Sequence, residues 1–105
     1  MTTSTDITLI GGGIIGLLTA REFYHAGMTV TVIDKGLMGN ESSWAGGGIL
    51  LPLYAWRQHP AISRLAIESL GLYPDLAAQL LETTGIDPEW NPCGLLMTQN
   101  PDIEA

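Results

Sequence analysis

The chain has 105 residues with 46% apolar content, enough for one small domain with a modest core. Its 4 basic and 11 acidic residues give a formal net charge of -7, which argues against a nucleic-acid surface built from clustered Lys and Arg, and against anionic lipid. No apolar run reaches the roughly 18 residues that span a bilayer, and the polar start Met1–Asp6 lacks the parts of a secretory signal, so a cytoplasmic protein is expected.

Ile7-Thr8-Leu9-Ile10 is a short apolar run that ends in glycines, the form of a buried parallel strand. From Ile14 to Ala26 the apolar positions Ile14, Leu17, Leu18, Ala20 and Phe23 keep helical spacing, and Gly27 is a natural stop. Met28 to Ile33 alternates and is rich in β-branched residues, which predicts a second strand. Strand, glycine turn, helix, strand is a βαβ unit, whose right-handed crossover makes the strands parallel. Lys35 to Pro60 then shows little periodicity. Its Trp44, Ile49, Leu50, Leu51, Leu53, Tyr54 and Trp56 are too apolar for a solvated coil, so it reads as an ordered loop laid over something.

Ala61 to Gly85 is helical in pattern, with Pro74 expected to kink or divide it. Asp87-Pro88 and Asn91-Pro92 are turns, and Gly94 to Thr98 predicts one more strand. Trp90 is expected to pack on this third zone. The lone Cys93 permits no internal disulfide and reads as a small half-buried filler. Two parallel strands leave apolar edges, which would fray, be covered by another copy, or be completed by further sequence. The expected class is therefore α/β, a Rossmann-like βαβ unit with a following loop and helices, cut short before the rest of its domain. Residues 86–105 would lead towards a second, substrate-binding domain.

Gly11-Gly12-Gly13-Ile14-Ile15-Gly16 fits G-x-G-x-x-G, and Asp34 stands 18 residues beyond Gly16. Gly11 allows the tight turn, Gly13 lets the backbone approach a diphosphate, and Gly16 lets helix and strand pack closely. The helix N-terminus aims its N–H groups at the phosphates. Asp34, at the end of the second strand, can accept from both ribose hydroxyls of an adenosine, and its charge disfavours a 2′-phosphate. After Asp34, a nicotinamide-binding domain would continue into further βα units. Here Ser42-Ser43-Trp44-Ala45-Gly46-Gly47-Gly48 intervenes, with hydroxyls for diphosphate oxygens and glycines whose bare backbone can face a flavin.

Together, Gly11 to Gly16, Asp34-Lys35-Gly36 and Ser42 to Gly48 resemble the D-amino-acid oxidase superfamily of FAD enzymes, and Glu41 to Tyr54 resembles its glycine oxidase branch, which serves thiamine biosynthesis. The resemblance covers nearly the whole chain. It implies that Gly11, Gly13, Ile14, Ile15 and Gly16 line the diphosphate turn and that Asp34 holds the ribose, with Lys35 beside the adenine. Ser42 and Ser43 would meet the diphosphate. Ala45, Gly46, Gly47 and Ile49 would approach the flavin through their main chain.

It also implies oxidation of a carbon bearing an amine, with oxygen reoxidising the flavin to give peroxide. The substrate would be a small amino acid or amine, and a homo-oligomer is compatible. No catalytic residue and no metal ligand is expected within these residues, since the flavin performs the redox step. Tyr54, Trp56, Arg57 and His59 are candidates for the flavin pocket or substrate entrance, or else pack the loop. His25 reads as surface. Two alternatives stay open: a segment of a nicotinamide-dependent reductase, and a non-catalytic fragment that only binds adenine dinucleotides.

Overall fold

The computed structural model describes residues 4–51, 54–96 and 98. Leu53, Met97 and the closing residues 99–105 lie outside them. The chain divides into two compact units, Met1–Ile49 and Leu50–Ala105.

The first unit is the expected βαβ. Strand β1 (Ile7–Ile10) and strand β2 (Val30–Ile33) pair in parallel, Ile7 opposite Val30 and Ile10 opposite Ile33. Side chains alternate across a strand, so Ile7, Leu9, Val30 and Val32 form one half-buried face, while Thr8, Ile10, Thr31 and Ile33 form an exposed one. Helix α1 (Ile14–His25) packs on the strand pair and supplies the crossover. It closes in a Schellman motif: Gly27, at φ +84, donates to Tyr24 O, and Met28 donates to Phe23 O.

That motif explains why β2 starts at Val30 rather than at Met28, as the alternation suggested. The Met28 amide ends the helix, and the Thr29 amide goes to the Asp6 carboxylate at 2.8 Å. The Thr29 hydroxyl also donates to Asp6, at 2.7 Å, which ties the two strand starts together. These Thr29 bonds, the hydroxyl's first, hold the Asp6 carboxyl below its ordinary value.

The stretch from Lys35 to Pro60 has more regular structure than its composition suggested. It contains a one-turn helix α2 (Ser42–Ala45) and a 3-10 turn at Ala55–Arg57. Among its described residues the large apolar side chains are mostly exposed, Trp44 at 79%.

The second unit is built on helix α3 (Pro60–Thr84). Pro60 suits the first helical position, where its missing N–H costs nothing, and Gly85 at φ +70 ends the helix. Ser63, Ala66, Leu70, Tyr73, Leu76, Ala77 and Leu80 form its less exposed stripe. Pro74 does not divide the helix. Pro74 is exposed, and its missing N–H leaves the Leu70 carbonyl without its helical donor. Tyr73 and Trp90 stack with planes 6° apart and centroids at 6.0 Å, so Trp90 packs this unit as expected.

The expected strand at Gly94 to Thr98 is not formed over its described residues. Gly94 has φ +72, which breaks an extended run, and no strand of this unit pairs with Leu95 or Leu96. Cys93 is exposed rather than half-buried.

Candidate functional site

The glycine turn is fixed from several directions. Gly11, at φ +108, donates to Ile33 O at 2.8 Å, which joins the turn to the end of β2. A Cβ on Gly16 would collide with the carbonyl oxygen of Gly11, so this glycine permits the turn to fold back against its helix. A Cβ on Gly13 would come to 3.1 Å from Ser43 Oγ.

Gly12 is the one buried residue among those described. Its N–H donates to Asp34 Oδ2 at 2.7 Å, and its carbonyl accepts from Gly39 N at 2.7 Å. The thioether of Met38 lies where a Cβ of Gly12 would be. Asp34 Oδ1 accepts from Gly36 N at 2.9 Å. The Gly12 N–H, then the Gly36 N–H, hold the Asp34 carboxyl below its ordinary value. An ionised carboxylate has about four lone-pair sites. Two of them fix this one, and the others can accept hydroxyls.

Helix α1 has Gly13 as N-cap, with no side-chain capping bond from that residue. Ser43 Oγ accepts the Ile14 N–H at 2.8 Å from 29 residues away. Among the described residues, the Ile15 and Gly16 amides meet no protein acceptor. Lys35 forms an exposed ion pair with Glu41, at 2.9 Å. Ser42, Ala45, Gly46, Gly47 and Ile49 are all exposed, and a Cβ on Gly47 would touch nothing within 4 Å. One unit thus brings together Gly11, Gly13, Ile14, Ile15, Gly16, Asp34 and Ser43.

Met38 and Gly39 were not legible as part of this cluster. Their role depends on the bend after Asp34, and no spacing announces it.

The residues read as candidates for a pocket or entrance lie in the second unit. Tyr54 takes φ +53, its ring meets Trp56 edge to face at 5.6 Å, and the Arg57 guanidinium lies 4.8 Å above it. His59 instead caps α3, its Nδ1 accepting the Ala61 N–H at 3.2 Å. An open cleft of about 520 Å³ runs between Trp56, Ser63, Arg64 and Glu68. It shares no residue with the glycine turn, whose donor chemistry is the better defined. Among the described residues no helix is long and apolar enough to cross a membrane.

A parallel βαβ unit with a glycine turn under a helix N-terminus and an acid at the second strand end defines a dinucleotide-binding fold. Residues 6–105 match the DAO family of FAD-dependent oxidoreductases, and the chain belongs to that family. It is 51% identical over 92 residues to a glycine oxidase of Pseudomonas aeruginosa, covering 88% of this chain and 25% of that protein. It is 35% identical over 91 residues to the bifunctional protein ThiO/ThiG of Trichormus variabilis, covering 87% of this chain and 14% of that one. The crystal structure of glycine oxidase from Bacillus cereus superposes with a TM-score of 0.72 at 36% identity, covering 80% of this chain and 23% of the other. The chain thus spans about a quarter of the length of the Pseudomonas relative.

The residues present fit the FAD that defines the family. The bare turn, the two amides without a protein acceptor and the fixed carboxylate match a diphosphate flanked by a ribose.

Proposed function

We propose that this chain holds FAD in an oxidase that deaminates glycine or another small amino acid or amine, in thiamine biosynthesis. The observation that supports it most is the glycine turn joined to Asp34 through the buried Gly12 amide. Glycine ranks first among substrates because the similarity to proteins named glycine oxidase extends over 88% of the chain. Bound flavin supplies the two-electron oxidation of the carbon bearing the amine, with oxygen as the final acceptor.

The chain's own residues bind and orient. Gly11, Gly13, Ile14, Ile15 and Gly16 present backbone to the diphosphate, and Ser42 and Ser43 add hydroxyls. Asp34 takes the ribose. Lys35 lies beside the adenine, and its exposed pair with Glu41 is weak enough to exchange. Ala45, Gly46, Gly47 and Ile49 face the flavin through main chain, and residues 86–105 lead towards the substrate domain.

The natural-length protein should purify with a flavin spectrum and release peroxide with glycine. A colourless protein that binds NAD would overturn the reading. A yellow protein that oxidises sarcosine or a D-amino acid but not glycine would overturn the substrate alone.

A further inference from the structure

We propose that Ser43 is a positioning residue whose hydroxyl oxygen fastens the serine–glycine loop to the glycine turn, leaving its O–H to donate to a diphosphate oxygen. This rests on the FAD reading above and assigns Ser43 a role beyond that of a ligand contact.

The first N–H groups of a helix have no partner within it. In α1 the N-cap is Gly13, which has no side chain to offer, so the cap comes from outside. Ser43 Oγ takes the Ile14 N–H at 2.8 Å. Gly13 is bare for the same contact, because a Cβ there would stand only 3.1 Å from that oxygen. Gly13 therefore makes room for Ser43 as well as for a phosphate.

Helix α2 cannot fix its own position. It is one exposed turn of four residues, held by Trp44 and Ala45 amides on Glu41 O, and its N-cap Glu41 makes no side-chain capping bond, its carboxylate pairing instead with the exposed Lys35. The chain enters it from Gly39, whose N–H is tied to Gly12 O at 2.7 Å. Ser43 supplies a second tie just before Gly46 and Gly47. With both ties in place, the backbone proposed to face the flavin is set relative to the backbone proposed to face the diphosphate.

A serine hydroxyl has one donor and two acceptor positions. Accepting from Ile14 uses one lone pair, and among the described residues its O–H has no protein acceptor. One atom can therefore brace the turn and bind an anionic oxygen at once.

The test uses the natural-length protein, stripped of flavin and titrated with FAD, for wild type, Ser43→Ala and Ser43→Thr. The readouts are FAD affinity, the visible band of the bound flavin and the apoprotein melting temperature. Ser43→Ala should weaken FAD binding by about tenfold or more, move the flavin band and lower the apoprotein melting temperature. Ser43→Thr keeps the γ-oxygen and should stay within about threefold of wild type, with the band in place. Loss of affinity in Ser43→Ala with band and melting temperature unchanged would reduce Ser43 to a ligand contact and overturn the proposal. So would a threonine variant that behaves like the alanine one. Wild-type protein that binds no FAD overturns the underlying reading as well, and that control separates the two failures.

Discussion

Gly12 and Gly16 stand four positions apart and are bare for different reasons. A Cβ on Gly16 meets the Gly11 carbonyl, which is backbone and cannot move without reshaping the turn. A Cβ on Gly12 meets the thioether of Met38, the end of a flexible side chain. Gly16→Ala should cost about 1–3 kcal/mol in thermal unfolding of the natural-length protein, as overpacked sites do. Gly12→Ala should cost less, and its cost should vanish in a Met38→Ala background, whereas that of Gly16→Ala should persist. Equal costs in both backgrounds would dismiss Met38 as the cover of Gly12.

Asp34 differs again, because its two oxygens accept backbone amides of Gly12 and Gly36. Both bonds favour the charged form, so its folded value lies below the ordinary 3.8. A carboxyl depressed by folding contributes stability above its unfolded value and loses it as pH falls through the folded one. Asp6, depressed by Thr29, acts in the same direction. The urea midpoint should therefore fall below about pH 4, and Asp34→Asn should flatten part of that fall. The asparagine NH2 would also face one of the two amides, donor against donor, so FAD affinity should drop in the same variant. A wild-type acid slope retained in Asp34→Asn would show that these two bonds contribute nothing. The sequence spacing alone singles out Gly11, Gly13, Gly16 and Asp34, which the structure gathers at one turn, because local backbone demands select those residue types. Met38 and the Ser43–Ile14 bond were hidden, since both depend on how the bend after Asp34 returns the chain to the turn.

The elements show where periodicity suffices and where it fails. Helix α1 and strand β1 follow their apolar spacing, but β2 loses its first residues to a competition for amides. Met28 N–H closes α1 and Thr29 N–H goes to Asp6, which no alternation rule anticipates. Helix α3 runs through Pro74 without being divided there, one of the two outcomes its ring allowed. An interior proline costs a helix about 3 kcal/mol relative to alanine. Pro74→Ala should restore the lost bond and raise stability by about 1–3 kcal/mol, with a gain in helical circular dichroism. An unchanged or lower melting temperature would mean that the Leu70 carbonyl serves another partner. The Gly94–Leu96 segment fails as a strand for the opposite reason. Its composition is suitable, but a strand requires a neighbour, and the second unit offers none among the described residues.

In the whole molecule, burial is the missing quantity. Gly12 alone is buried among the described residues, while Ile10 and Ile15 are 80% and 78% exposed, and Leu65 and Leu72 are 69% and 70% exposed. The strand pair has one face under α1 and leaves Ile10 and Ile33 uncovered on the other. A domain of this size is marginal even with a complete core, because its stability is a small difference between burial and chain entropy. Apolar surface of this extent associates or is covered. The 105-residue chain studied by itself should therefore bind a hydrophobic dye, sediment as mixed oligomers and unfold without a sharp transition. Cooperative unfolding of this chain as a monomer would contradict the burial argument.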